Sequence, residues 1–96
     1  MGKIRHPGEE LFFEAVMSLQ SQEECRQFFE DICTINEIHA IAQRLQVAKL
    51  LSENKTYNEI EGITKASTAT ISRINKCLVY GADGYQRILA RMKEQE

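Results

Sequence analysis

The chain has 96 residues, 43% of them hydrophobic and 27% charged, with a formal net charge of −2 at pH 7. That length sets one small domain, and the apolar share fits a globular chain rather than a disordered one. No apolar run approaches the roughly 18 to 20 residues of a membrane span, and the N-terminus has no apolar signal core, so the expected compartment is the cytoplasm, with no membrane partner.

Met1-Gly2 opens like a myristoylation signal, but His6 stands where that motif wants Ser or Thr. The only proline, Pro7, precedes the first helix, and no Val/Thr alternation marks a strand, so the chain reads as helical nearly throughout. The spacing predicts six helices, at roughly 8–20, 22–32, 35–53, 57–64, 68–79 and 83–94. Three of their starts match the capping box, in which a hydroxyl and a Glu satisfy opposing free amides: Ser21 with Glu24, Thr34 with Glu37, and Thr56 with Glu59. Ser67 is a plainer N-cap before the fifth helix. Gly81 suits a left-handed C-terminal stop, and Ala82 or Asp83 begins the last helix. All linkers are short, so residues 1–96 are expected to form one domain, frayed only at the first few residues and the Lys93–Glu96 tail.

Leu11-Phe12-Phe13 and Phe28-Phe29 place large apolar groups about 100° apart around their helices, wider than one buried stripe. On the third helix Ile38, Ile41, Ala42, Leu45 and Ala48 form one stripe, which Ile35, Val47, Leu50 and Leu51 widen. Burying both faces is easier if a second chain supplies the other wall, so the expected state is a homodimer with an extensive apolar interface. Cys25, Cys33 and Cys77 are an odd set without CxxC spacing, which argues against a disulfide framework or a zinc site. Each is expected to pack as a small buried residue. His6 and His39 have no nearby ligand-type partners at helical spacing. No cofactor and no metal are expected.

Thr56 to Leu78 reads as a helix-turn-helix. Ile60 and Ile63 give its first helix an inward edge, and Lys65-Ala66-Ser67 breaks it. Its second helix carries Ile71, Ile74 and Leu78 inward, with Thr68, Thr70, Ser72, Arg73, Asn75 and Lys76 on other faces. Small hydroxylated residues at a helix start, followed by cations, suit a helix that enters the DNA major groove. Between Gln43 and Leu78 six cations stand against three acids, while the remainder holds six cations and eleven acids. Positive charge is concentrated where double-stranded DNA would bind. Lys65 and Lys76 are the candidate phosphate partners, by charge and position.

Several runs carry a family signature: Thr34-Ile35-Asn36-Glu37, Ala40-Ile41-Ala42-Gln43-Arg44, Leu50-Leu51, Thr56 to Ile60, and Ala69-Thr70-Ile71-Ser72-Arg73. With Ser72 to Leu78 and Tyr80 to Tyr85 added, the chain from Thr34 onward resembles the Trp repressor superfamily, and especially its YerC/YecD-like branch. The resemblance implies an all-α, six-helix, intertwined homodimer that binds operator DNA through two recognition helices. It implies base or backbone contacts from Ser67, Thr68, Ala69, Thr70 and Ser72.

Two departures matter. Arg44 and Arg73 match the two arginines that flank the family's tryptophan ligand, but Ile74 stands where a glycine leaves room for the indole. Cys77 replaces a small hydroxyl that assists the ligand's amino group. Tryptophan is therefore not expected as corepressor, and Arg44 and Arg73 remain candidate partners of another small-molecule effector bearing a carboxylate. Arg73 has an alternative use, pairing with an acid on a neighbouring helix. Asn58 and Glu61 stand where the repressor is basic, which weakens counterion release.

The leading reading is a sequence-specific transcriptional regulator, acting by occlusion of DNA. The alternative is a helical interaction module that keeps the fold without the DNA role, which the net acidity motivates. An enzyme is not expected: the Glu pairs fall at helix starts, where capping and the helix dipole account for them, and no phosphate loop or nucleophile–base pair is present.

Overall fold

A computed structural model describes residues 6–96; the Met1-Gly2 pair lies outside them. Six α-helices and no strand occur among these residues: α1 Glu9–Met17, α2 Gln22–Ile32, α3 Ile35–Ser52, α4 Tyr57–Thr64, α5 Thr68–Tyr80 and α6 Gly84–Glu94. The chain falls into two compact units, Met1–Ile38 and His39–Glu96.

In the first unit α1 begins after Pro7-Gly8 with Glu9 and Glu10 in its first turn, where negative charge meets the positive end of the helix dipole. It stops at Met17, three residues short of the sequence expectation. There the Ser18 hydroxyl donates to the Ala15 carbonyl at 2.7 Å and the chain leaves the helix to form the next cap. Ser21 accepts from the Glu24 amide at 3.1 Å, but the Glu24 carboxylate takes the Gln20 amide at 2.9 Å rather than that of Ser21. The expected box at Ser21 is therefore half formed. The Thr34 box is complete. Phe12 gathers Phe13, Phe28 and Phe29, with ring centroids between 5.4 and 6.3 Å in tilted, stacked and edge-on pairs.

In the second unit Val47 and Ala48 of α3, Ile60 of α4, Ala66 of the turn, and Ile71 and Ile74 of α5 form one buried cluster. Leu50, Leu51, Tyr85 and Leu89 pack against it at its margins. Each fully enclosed branched side chain contributes roughly 1.5–3 kcal/mol, so the cluster is what fixes α4 and α5 against α3.

Three expectations are corrected. Ile63 is 54% exposed. An α-helix advances so that the residue four on from Ile60 returns closer to its face than the residue three on. The inward place thus goes to Thr64, whose hydroxyl donates to the Ile60 carbonyl at 2.8 Å. Cys25 and Cys33 are only half-buried and Cys77 is exposed, because Ile71, Ile74 and Leu78 already occupy the inward side of α5. Gly81 is not left-handed: its φ is −84° and ψ −153°. It is required for another reason. A Cβ there would collide with the Cys77 carbonyl that the Gly81 amide caps at 2.9 Å. The left-handed residue is Asp83, with φ 69°, and it delays the start of α6 to Gly84.

On α3, Ile41 is 46% exposed and Ala42 is also open, so the stripe expected there is uncovered within the single chain. Ile60→Ala should destabilise the protein by roughly 2–5 kcal/mol, whereas Ile63→Ala should stay within about 0.5 kcal/mol. Urea denaturation of the two variants reads this difference, and equal losses would contradict the burial assignment.

Candidate nucleic-acid interface

The helix-turn-helix is built from its caps inward. Thr56 accepts from the Glu59 amide at 3.1 Å while the Glu59 carboxylate accepts from the Thr56 amide at 2.8 Å, closing the box expected at α4. The bond to the Thr56 backbone, followed by that to its side chain, holds the Glu59 carboxyl below the usual carboxylate range. Lys55 nearby adds to the effect. This acid is committed to the cap.

Helix α4 ends at Thr64, and Lys65 turns the chain through a left-handed conformation with φ 64° and ψ 11°. The Thr64 hydroxyl accepts from the Ala66 amide at 3.1 Å, which lets Ala66 enter the core. Ser67 then caps α5, accepting from the Thr70 amide at 3.1 Å and donating to the Thr70 hydroxyl at 3.1 Å. Three residues suffice for the turn because Lys65 reverses the chain, Ala66 anchors it in the core and Ser67 caps the helix that follows.

On α5 the buried Ile71 and Ile74 define the inward side, so helical periodicity places Ala69, Ser72, Arg73, Lys76 and Tyr80 on the opposite one. All five are exposed. Lys65, Ser67 and Thr68 are exposed at the entrance to this face. Thr70 differs. It is half-buried and its hydroxyl is engaged with Ser67, the one pair of nominated residues that a hydrogen bond brings together. Tyr80, 84% exposed, is a residue the sequence pattern shows only inside a longer family run. Its signal was spacing: it lies four residues beyond Lys76.

Arg44 and Arg73 are both exposed, and neither makes an ion pair among the described residues, where Lys49 and Glu53 pair at 2.7 Å. Arg44 acts on Tyr85, a phenol that burial pushes up from its ordinary range and that Arg44 draws partly back. Ile74, beside Arg73, is enclosed with Val47 and Ala48 of α3. A groove of about 690 Å³ lies elsewhere, among Lys49, Ser52, Glu53, Leu78, Leu89 and Lys93, and takes in no nominated residue. The unit His39–Glu96 carries nine cations and six acids, the unit Met1–Ile38 three and eight. The polar helix therefore belongs to the positive part of an acidic chain. Among the described residues no three His, Cys, Asp or Glu side chains cluster as a metal site would require. No described helix is long and apolar enough to cross a membrane.

The family model described as Trp repressor protein matches residues 9–93. The uncharacterized protein YerC of Bacillus subtilis (strain 168) is 52% identical over 94 residues, covering 98% of this chain and 90% of that protein. A crystal structure from Staphylococcus aureus, described provisionally as a Trp repressor, aligns with a TM-score of 0.88 and 48% identity. The alignment covers 93% of this chain and 89% of that one. The crystal structure of a TrpR-like protein from Eubacterium eligens ATCC 27750 aligns with a TM-score of 0.89 and 49% identity, over 93% and 92% of the two chains. The all-α, six-helix architecture expected from the sequence is the one these structures share.

Because the Glu59 carboxyl is held low in the folded state, its contribution is complete above the unfolded pKa, roughly 4.3 for Glu. It is lost as pH falls through the lower, folded value. Glu59→Gln should thus melt below the unaltered protein at neutral pH, and the gap should close in acid. Thermal melts from acid to neutral pH measure it; a gap independent of pH would show that the charge plays no part.

Proposed function

This chain belongs to the Trp repressor family, and we propose that it is a sequence-specific, DNA-binding transcriptional regulator that works as a homodimer. The observation that carries the reading is the outward side of α5, polar and cationic, held there by an apolar inward side. Ser67, Thr68, Ala69, Thr70 and Ser72 supply base and backbone contacts, and Lys65 and Lys76 meet phosphates. Within this group Thr70 serves first as part of the α5 cap, so Ser72 is the stronger base reader. Net charge is no obstacle, because the positive balance lies in the unit that holds α5.

The 96 residues act together as one DNA-binding domain, intertwined with a second copy. Support comes from large apolar side chains left exposed on the single chain: Leu11, Phe13, Ile35, Ile41, Ile88 and Met92. A soluble chain rarely leaves so many large apolar groups open, and a symmetric partner would bury them. Two copies of α5 would then face half-sites one helical turn apart, about 34 Å, and favour a near-palindromic operator. Such occupancy regulates by occlusion, in the cytoplasm, without chemistry of its own.

Arg44 and Arg73 are offered for a carboxylate-bearing effector. The enclosed Ile74 supports excluding tryptophan, since its branched side chain already takes up space between α5 and α3. Tryptophan should leave the melting temperature unchanged, and sedimentation should give twice the chain mass of 11.0 kDa. A tryptophan-dependent shift or a monomer in solution would refute the corresponding part.

Selection from random DNA should return a two-fold site. Ser72→Ala should weaken that site roughly 2- to 12-fold, the worth of one neutral hydrogen bond, and leave random DNA unaffected. Lys76→Ala should weaken both alike and flatten the plot of log affinity against log salt by about 0.9. If no duplex is retained even at low salt, a protein-interaction module takes the place of this reading.

A further inference from the structure

We propose that Gln43 is a positioning residue for the DNA-facing helix: its side-chain amide, reaching from α3, sets where the turn between α4 and α5 lies. The inference rests on the DNA-binding reading of α5. The half-buried Gln43 donates through Nε2 to the Thr64 carbonyl at 3.1 Å, joining residues 21 apart. Every other side-chain hydrogen bond among the described residues spans eight residues or fewer.

The acceptor matters as much as the span. The last carbonyls of a helix have no partner within it, and Thr64 is a nearly enclosed residue at the end of α4. Water has little access there, so Gln43 supplies the missing donor. Thr64 is also the residue whose hydroxyl holds Ile60 behind it and Ala66 ahead of it. Ser67, the α5 cap, follows directly. A displacement of Thr64 therefore passes along three residues to the start of α5.

The remaining ties between α3 and this segment are the apolar contacts of Val47 and Ala48 with Ile60, Ala66, Ile71 and Ile74. Burial of this kind is non-directional and tolerates small slides and rotations. A hydrogen bond is directional and weakens steeply off its axis. The cluster gives adhesion and the amide gives register.

Three variants separate this role from plain stabilisation. Gln43→Met keeps the length and removes the donor, Gln43→Glu keeps the size and offers only acceptors, and Gln43→Lys restores a donor. In the free protein, amide exchange at Ala66 should rise about tenfold in Gln43→Met and Gln43→Glu, the scale of a buried partner lost. Exchange at Val47 should hold its original rate, and Gln43→Lys should return Ala66 toward its own.

On DNA, the ratio of affinities for the selected and a random duplex should fall severalfold in the first two variants. The salt slope should be unchanged. Leu51→Ala, adjusted by temperature to the same stability loss, should leave that ratio intact. Unchanged exchange at Ala66 in Gln43→Met overturns the proposal, as does an equal fall of the ratio in Leu51→Ala. If the unaltered protein binds no duplex, the exchange measurement still decides the tether, while the DNA reading fails separately.

Discussion

The burial of Ile71 and Ile74 against α3 governs the rest of the functional unit. Once two branched side chains on one side of α5 are enclosed with Val47, Ala48, Ile60 and Ala66, the helix cannot rotate without exposing them. Enclosing such groups is worth roughly 1.5–3 kcal/mol apiece, more than any single surface contact on the opposite side could return. Ala69, Ser72, Arg73 and Lys76 are therefore held outward whether or not a ligand is present. Presentation of the polar side is a consequence of packing.

The turn shows how a buried segment of backbone is kept satisfied. Two helices meeting within three residues leave free carbonyls at one end and free amides at the other. Lys65 directs its amide back to the Glu61 carbonyl, Thr64 bonds through its hydroxyl on both sides, and Ser67 takes the Thr70 amide. Among the described residues no buried side-chain polar atom lacks a partner. The left-handed Lys65 is the strained point of this arrangement, since L-residues other than Gly, Asn and Asp seldom adopt that region.

Charge and apolarity are unevenly spread along the chain. Acids crowd the first unit, where Glu9, Glu10, Glu23 and Glu24 occupy first turns and favour helix starts. Cations prevail in the second, near the polar side of α5. A chain of net charge −2 can thus carry a locally positive surface, and the sum of charges is a poor guide to what that surface meets. Large apolar side chains remain open in both units, Met17 at 83% among them, which is the physical ground for a second copy.

The helices were legible in the sequence because their signals are local. A capping hydroxyl three residues before a Glu, a run of apolar residues at spacings of three and four, and a turn of three residues act over short stretches of chain. They placed α2, α4 and the start of α5 to the residue. What the sequence left open depended on competition for enclosed space. Ile63 and Thr64 are both at helical spacing from the core, and only the packed structure gives the inward place to the threonine. Gly81 is plainly a helix stop in the sequence, but its reason, a carbonyl too close for any Cβ, exists only in three dimensions. Thr70 reads as a free hydroxyl until its tie to Ser67 is seen. Gln43 reads as one more polar residue on α3, since its partner lies 21 residues away and no periodicity links them. The sequence by itself determined where helices begin, how many there are and which side of α5 is polar, because those follow from nearest neighbours. The tertiary structure alone decided which polar groups are spent on holding the fold and which remain outside, because that depends on what distant segments bring to the same small volume.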